Sequence, residues 1–218
     1  MTEILFQGHG SLWVTAPDGT VIYIDPFMGK GYDRPADLIL VTHQHFDHTK
    51  TDKPAKKPGC VIWSNRDFLI DGQYQTKTLG DVTIRAVEAY NSNHPKSECV
   101  GYILAIGGKK IYVAGDTSKT EQMASLASEN LDCAFLPMDG KYNMGPEEAS
   151  ECAALIKAKR VVPYHMVPAG PLGGKGFDQK RAEQLKAENR VILPAGETLT
   201  LELGRRKKVS PAFTSEIC

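Results

Sequence analysis

The chain contains 218 residues, of which 41% are hydrophobic and 24% are charged, and its formal net charge is zero. This length, together with the lack of a linker-like stretch, favours one domain over residues 1–218. A neutral chain has no global field that recruits nucleic acid or a membrane surface, and no apolar run approaches the roughly 18 residues of a membrane span.

The N-terminal half of the chain is predicted to consist mainly of strands. Short apolar runs between turn residues indicate strands at residues 4–6, 11–16, 20–25, 37–41 and 61–64. The turn Pro17-Asp18-Gly19 joins the second and third of these strands as a hairpin. Three strands in quick succession, without an intervening helix, indicate an antiparallel start rather than βαβ units.

The C-terminal half of the chain mixes strands with helices. The pattern predicts strands at residues 82–89, 100–106, 110–114, 131–136, 161–163 and 191–203, and helices at residues 119–128, 145–157 and 177–188. Gly107-Gly108 is typical of a hairpin turn, and Pro146 with two acidic residues opens the second helix. Because the strands fall into two blocks, each followed by helices, we expect two sheets packed face to face with helices outside.

The cysteines and the N-terminal residues indicate the cellular compartment in which the protein is expected. Five cysteines form an odd set without a Cys-x-x-Cys pair, and they lie at positions 60, 99, 133, 152 and 218. Cys133 and Cys152 lie in apolar patterns and are expected to be small core residues. Residues 1–6 lack the basic and apolar regions of a signal peptide. We therefore expect a cytoplasmic protein.

Three histidines and one aspartate occupy the six positions 43–48, which follow the apolar run 38–41 and Thr42. His43 and His45 are two residues apart, so in an extended chain their side chains leave on the same side. Asp47 and His48 follow where the chain can turn into a short helix, and adjacent helical residues do not share a face. The pattern indicates that His43 and His45 hold one metal ion while Asp47 and His48 point toward a second. Imidazole with carboxylate suits Zn²⁺ or Fe, and a Cys-rich structural zinc site is disfavoured.

Further candidate ligands follow other predicted strands. His94, Asp116 and His165 each come just after an apolar run. One such histidine is more often a hydrogen-bonded loop residue, but three candidates beside the four-residue cluster favour a shared metal site. His9 lies between Gly8 and Gly10, which permit close backbone approach to a ligand. Two interpretations of His9 stay open here, a proton donor or substrate contact and a plain turn residue.

The order His-x-His-x-Asp-His, then a lone His, a lone Asp and a final His, resembles the metallo-β-lactamase superfamily from Gly8 to about Gly196. Finer features are similar to the small bacterial metal-dependent hydrolases related to ascorbate-6-phosphate lactonase. These features are Gly8-His9-Gly10, Ile24-Asp25-Pro26, residues 144–149 and residues 194–197. The resemblance implies an α/β (α+β) fold, a four-layer αββα sandwich of two mixed β-sheets with helices on the outer faces. The larger members of the family carry extra domains or RNA-gripping insertions, for which 218 residues leave little room.

The resemblance also implies a binuclear metal centre with two divalent ions, Zn first and Mn or Fe as alternatives. The implied ligands are His43, His45 and His94 for the first ion, Asp47, His48 and His165 for the second, and Asp116 as the bridge. Asp25 resembles the aspartate that orients a ligating imidazole in this family, although alone it would be a turn residue before proline. The candidate catalytic residues are Asp47, Asp116 and His9.

The functional hypothesis is a metal-dependent hydrolase of a small ester, lactone or phosphorylated substrate. Under this hypothesis, two ions about 3.5–4 Å apart would share a hydroxide that would attack an acyl or phosphoryl centre. A phosphodiesterase or nuclease is an alternative, supported only by basic clusters that are typical of a solvated surface. Those clusters lie at positions 50, 53, 56 and 57 and at positions 205–208. A metal-binding regulatory protein without catalysis is the third hypothesis.

The expected partner is a small molecule, with no membrane and no nucleic acid, and a homo-oligomer is compatible with the sequence. An anionic substrate would call on Lys96, Lys141 or Lys175, although each is ordinarily a solvated side chain. Tyr142 and Asn143 are further candidates for the rim of the site.

Overall fold

The computed structural model describes residues 1–168 and 176–202. The strands in chain order are β1 (Thr2–Gly8), β2 (Ser11–Thr15), β3 (Val21–Ile24), β4 (Ala36–Val41), β5 (Lys56–Ser64), β6 (Leu69–Ile70), β7 (Gln73–Tyr74), β8 (Thr76–Leu79), β9 (Val82–Glu88), β10 (Val100–Ile106), β11 (Lys109–Val113), β12 (Cys133–Pro137), β13 (Val161–Tyr164) and β14 (Thr198–Leu201). The helices are α1 (Asn65–Phe68), α2 (Pro146–Ile156), α3 (Gln179–Ala182) and a 3₁₀ helix at Glu121–Glu129.

Two six-stranded mixed sheets form the body of the protein. The first has the order β14-β1-β2-β3-β4-β5, and the second has the order β13-β12-β11-β10-β9-β8. In each sheet the antiparallel strands change to parallel pairing, at β3–β4–β5 in the first and at β11–β12–β13 in the second. This architecture confirms the predicted fold class, and both predicted hairpins, β2–β3 and β10–β11, are present.

The main core lies between the two sheets because alternate side chains of each strand point to opposite faces. In β3, Ile22 and Ile24 enter the main core, whereas Val21 and Tyr23 lie on the outer face of the first sheet. Cys133 and Cys152 are fully buried in the main core, as their apolar surroundings in the sequence predict.

The outer faces of the two sheets are covered differently. On the first sheet, the loop after β3 covers Tyr23, whose one hydroxyl hydrogen is shared between the carbonyl oxygens of Gly31 and Arg34 at 2.8 and 2.9 Å. The ring of Tyr32, from the same loop, stacks on Tyr23 with centroids 5.6 Å apart. On the second sheet, α2 packs against β12 and against the 3₁₀ helix.

Two of the three predicted helices differ from the prediction: one is a 3₁₀ helix and the other is much shorter. Helix 119–128 is a 3₁₀ helix, in which the hydroxyls of Ser125 and Ser128 donate to carbonyl oxygens three residues earlier. Helix 177–188 is helical only in α3, because Arg190 takes up the carbonyl groups of Glu183 and Leu185. The helix predicted at 145–157 is confirmed as α2.

The predicted strands also differ in extent. Strand 191–203 contains only β14, since a turn closed by the bond from Glu197 N–H to Pro194 O interrupts it, and residue 203 lies outside the described residues. Strand 61–64 extends back to Lys56 as β5, although Pro58 and Gly59 are typical of a loop. The short strands β6, β7 and β8 have no counterpart in the prediction.

Loops at the ends of several strands meet at one edge of the sandwich, where the two sheets are also tied together. The Tyr102 hydroxyl of β10 donates to Val41 O at 2.8 Å, and Val100 N–H donates to Thr42 O at 3.1 Å. These bonds fix the end of β4 against the second sheet. Within residues 1–168 and 176–202, no helix is both long and apolar enough to cross a membrane.

Candidate metal centre

The loop after β4 carries four of the candidate ligands. It forms a turn and not a short helix, with His48 N–H donating to His45 O at 3.1 Å. His43 and His48 are buried, at 2% and 1% exposure, whereas His45 is exposed. The loop therefore contributes candidate ligands both from the buried interior and from the solvent-exposed side of the site.

His43, His45 and His94 form one group of imidazoles. His45 Nδ1 lies 3.1 Å from His43 Nε2 and 3.2 Å from His94 Nε2. Three nitrogen atoms this close, each with a lone pair to offer, form a group that could hold a metal ion.

A second group contains Asp47, His48 and His165, and His9 lies within it as well. One ligand atom from each of these four side chains lies within 4.8 Å of the others. His165 comes from the loop after β13, so this group joins side chains from both sheets.

Asp116 lies between the two groups, just after β11. Its Oδ2 atom is 3.4 Å from His94 Nε2, whereas its Oδ1 atom is 3.5 Å from His48 Nε2 and 3.3 Å from His165 Nε2. One carboxylate thus directs one oxygen toward each group. All seven ligands implied by the family resemblance converge here.

The chemistry of the buried donors fits bound metal. Within the described part of the chain, four buried atoms of this cluster have no hydrogen-bond partner. Three of them, His48 Nε2, His165 Nε2 and Asp116 Oδ1, face one another, and the fourth is the outer His165 Nδ1. Unpartnered buried polar atoms are costly in a folded protein unless an ion or water satisfies them. The convergence of the first three atoms on one point is the pattern expected of metal ligands.

The outer nitrogen of each buried imidazole is engaged by the protein. The contacts are His43 Nδ1 with Thr42 Oγ1 (3.0 Å), His48 Nδ1 with Asp25 Oδ2 (2.9 Å), His94 Nδ1 with Asn91 Oδ1 (2.9 Å) and His165 Nδ1 with Asp139 Oδ2 (3.2 Å). Carboxylate and amide oxygens only accept, so in a neutral ring Nδ1 carries the hydrogen and Nε2 has a lone pair toward the centre. The His165 contact is at ion-pair distance and lacks hydrogen-bond geometry. Such outer contacts orient ligating histidines and fix their tautomers.

Asp25 supports two of these rings. It accepts Thr42 N–H at 2.7 Å and the Thr42 hydroxyl at 2.6 Å, in addition to its contact with His48. The Thr42 hydroxyl donates its one hydrogen to Asp25. Its oxygen must therefore accept the hydrogen of His43 Nδ1. Asp25 therefore does more than begin a turn before proline.

Sequence reasoning missed Thr42, Asn91 and Asp139 in this role. Asp139 follows β12 by two residues, a placement similar to that of Asp116 after β11, and this signal was available. Asn91 lies three residues before His94 in a turn closed by backbone bonds of 3.0 and 3.2 Å between the two residues. Nothing in that asparagine's local sequence distinguishes it from an ordinary turn residue.

His9 is fully buried beneath the site. Its Nδ1 atom lies 3.0 Å from Val167 O and its Nε2 atom lies 3.0 Å from Asp47 Oδ2. The ring packs against His165 with centroids 3.8 Å apart. Both ring nitrogens are thus engaged by the protein, and the residue does not line the open pocket among the described residues.

The electrostatics of the cluster favour ionised carboxylates. Burial opposes the charged form of Asp116, but the surrounding imidazoles, above all His165 and His48, outweigh it and lower the pKa of the carboxyl. Burial also opposes protonation of His48, but Asp116 and Asp25 outweigh it and raise its pKa to about 9. Burial lowers the pKa of His43 well below its ordinary value. Opposite shifts in neighbouring rings are typical of functional clusters.

The ligand cluster forms the floor of an open pocket of about 300 Å³. Phe46 and Tyr142 stand on its rim, 62% and 41% exposed. Within the described residues, no lysine or arginine lines this pocket. Lys96 is paired with Glu88 at 2.6 Å. Lys175, the third lysine considered for an anionic substrate, lies outside the described residues, as do the basic positions 205–208 and Cys218.

Comparison with known sequences gives consistent matches. A beta-lactamase superfamily domain matches residues 3–165. The UPF0173 metal-dependent hydrolase of Myxococcus xanthus is 35% identical over an alignment that covers 75% of this chain and 70% of that protein. The UPF0173 metal-dependent hydrolase of Thermus thermophilus is 33% identical over 93% of this chain and 100% of its own length.

Comparison with solved structures gives the same picture. A Parabacteroides distasonis protein described as a metal-dependent hydrolase superposes with a TM-score of 0.69 and 29% identity, covering 87% of this chain and 90% of its own. A Thermotoga maritima protein described as a Zn-dependent hydrolase of the metallo-β-lactamase superfamily gives 0.57 at 25% identity, covering 76% of each chain.

Proposed function

The chain belongs to the metallo-β-lactamase superfamily, and from this premise we propose that it is a metal-dependent hydrolase with two divalent ions, Zn²⁺ first, at the cluster. The observation that carries the proposal is the position of Asp116, whose two oxygens face two separate groups of imidazoles. A carboxylate so placed can bridge two cations and offset part of their charge.

The residues of the chain would divide the work as follows. His43, His45 and His94 would hold the first ion, and Asp47, His48 and His165 the second. When bound, such a pair of ions supplies a water of lowered pKa, near ~7, and polarises the substrate oxygen that faces it. The buried rings, fixed through their outer nitrogens, would hold this arrangement rigid. Because the His45 side chain is exposed and lines the pocket, a substrate would approach the centre from that side.

Small esters and lactones are the substrates that the pocket supports best. A space of about 300 Å³ accommodates a small molecule and not a folded nucleic acid. Its described lining offers no fixed cation for a phosphate chain. Two lysines of the basic cluster at positions 50–57 are already engaged, since Lys57 pairs with Asp37 at 2.7 Å and Lys53 donates to Phe27 O at 2.6 Å. These contacts weaken the case for a nuclease.

The test combines elemental analysis of protein purified without added metal with a panel of lactone, ester, thioester and phosphodiester substrates. We expect about two equivalents of metal per chain and turnover of an ester or lactone. Metal-loaded protein without turnover on any member of the panel would contradict the proposal and support a regulatory role. A steep loss of phosphodiester binding with added salt would instead point to a nuclease.

A further inference from the structure

The loop between β12 and α2 is shaped by a single carboxylate. Asp139 Oδ1 accepts the backbone N–H groups of Lys141, Tyr142 and Asn143 at 2.7, 2.7 and 3.2 Å. Three such bonds hold the loop in one conformation and turn the Asn143 side chain inward. That side chain is buried, with 8% exposure, and within the described residues it is absent from the pocket lining.

The Asn143 amide joins two carboxylates of the centre. Its Nδ2 atom donates to Asp116 Oδ2 at 3.0 Å and to Asp139 Oδ2 at 2.8 Å. The amide can be oriented in only one way, because both carboxylates only accept and an amide oxygen facing them would be repelled. Its Oδ1 atom then faces Asn91, whose Nδ2 lies 3.3 Å away.

One side chain is thereby connected to both halves of the cluster. Asn91 holds the outer nitrogen of His94, and Asp139 lies 3.2 Å from the outer nitrogen of His165. Asp116, the carboxylate between the halves, receives its bond from Asn143 directly. In the described part of the chain, Asn143 is the only uncharged side chain that donates a hydrogen bond to Asp116.

We propose that Asn143 is a positioning residue that sets the orientation of Asp116 and the spacing of the two metal sites. The inference rests on the proposed dinuclear centre and deepens it. A neutral amide suits this position, since it orients the carboxylate without competing as a cation with the metal ions. Each carboxylate oxygen keeps a second lone pair for an ion after it accepts the amide hydrogen.

The test compares the wild type with Asn143→Leu, which has similar volume and no hydrogen bonds. Chelator competition with Zn²⁺ measures affinity, and the absorption spectrum of Co²⁺-loaded protein reports ligand geometry without any substrate. We expect affinity to fall about 10–100-fold, mainly for one of the two equivalents, with an altered Co²⁺ spectrum. In kinetics, kcat should fall and KM should change little.

Two further variants make the result decisive. Asn189→Ala removes a partly buried amide donor that bonds to Ala158 O, remote from the cluster, and should leave the metal affinity unchanged. Asn143→Asp keeps the shape but replaces the donor by a carboxylate, so it should weaken metal binding even if Asn143→Leu fails to fold. Wild-type metal affinity in folded Asn143 variants, with only KM raised, would overturn the proposal and make the residue a substrate contact. A wild type that binds fewer than two equivalents would refute the dinuclear centre itself, independently of the variants.

Discussion

Asp116 is the residue on which the two halves of the cluster depend. Replacing it with asparagine keeps its size but removes the charge and one of the two anionic oxygens that face the imidazoles. We expect Asp116→Asn to lower both metal content and kcat/KM, by more than the roughly 10–100-fold that the loss of an outer contact costs. Elemental analysis beside steady-state kinetics checks this. Full metal occupancy with unchanged turnover would rule out a bridging role.

His9 offers a second test at the residue scale. Because its Nε2 atom is 3.0 Å from Asp47 and the ring is fully buried, we expect it to hold Asp47 in place rather than to donate a proton to a leaving group. His9→Ala should then slow substrates with good and poor leaving groups by the same factor, about 10–100-fold. Loss confined to the poor leaving group would restore the role of general acid.

Gly10 is required for space. A Cβ atom added there would lie 3.0 Å from His48 Cε1 and 3.3 Å from His165 Cδ2, and both rings are fixed through their outer nitrogens. Gly10→Ala should therefore destabilise the protein by about 1–3 kcal/mol and weaken metal binding. Thermal melting and chelator competition measure the two effects. Gly145→Ala is the matched control, since its Cβ would meet only Gly140 Cα at 3.9 Å; equal metal affinity in the two variants would contradict the steric argument.

The metal-binding pattern could be predicted from residue types alone, and its supporting residues could not. The ligands are histidines and aspartates in an order that few other constraints produce. Asn91, Asp139 and Asn143 are loop residues of types that also form turns, caps and solvated surface. Only their distances to His94, His165 and Asp116 reveal what they do.

At the scale of elements, the junction of β11 and β12 depends on Asp132. Its carboxylate lies 2.9 Å from Lys159 Nζ and accepts Lys110 N–H at 3.0 Å. Burial would raise its pKa, but these partners and Lys109 outweigh it and lower the pKa. A lowered folded-state pKa stabilises the protein above the ordinary value near ~3.9, and that contribution is lost as pH falls through the folded value.

Asp132→Asn should reduce the free energy of unfolding at pH 7 by about 1 kcal/mol, a modest value because Lys159 is largely exposed. Denaturant unfolding of both proteins between pH 7 and pH 2 measures the difference. It should shrink toward zero as pH falls below the lowered folded-state pKa, because the wild-type carboxylate is then protonated in both states. A difference that stays constant with pH would assign the effect to packing instead of charge.

Strands were predicted more accurately than helices, for a physical reason. The apolar runs of β10 and β12 are strong local signals, and β9 alternates more weakly between buried and half-buried positions. The 3₁₀ helix and the short α3 depend on side chains that capture backbone carbonyls, Ser125 in one case and Arg190 in the other. Such competition is decided by three-dimensional contacts that no local pattern contains.

At the scale of the whole molecule, the pairing of distant strands was beyond sequence reasoning. β14 pairs with β1 across nearly the full chain, and β5 joins the edge of the first sheet with a register shift near Ala36. The two blocks of strands indicated two sheets but not which strands lie at their edges. That residues 1–218 form one domain stays a prediction.

Metal removal should destabilise the whole protein, because the candidate ligands come from both sheets. An ion present at about 1,000 times its Kd adds roughly 4 kcal/mol to the free energy of unfolding, equivalent to about 10 °C in Tm. Melting curves with and without chelator measure this shift, and Asp116→Asn should show a smaller one. An unchanged Tm after verified metal removal would show that metal bound at the cluster does not stabilise the folded protein.

The rings of His43, His48 and His94 are hydrogen-bonded to the protein through the nitrogen that faces away from the centre, and the same nitrogen of His165 lies 3.2 Å from Asp139. These contacts restrict the rotation of the rings, so the polypeptide itself sets the positions of the candidate ligand atoms. Replacing one divalent ion by another of similar radius then requires no repacking of the interior. We therefore expect the supply of metal in the cell, and not the protein, to decide which of these ions is bound. The same chain should be recovered with different metals from cultures that are supplied with different metals.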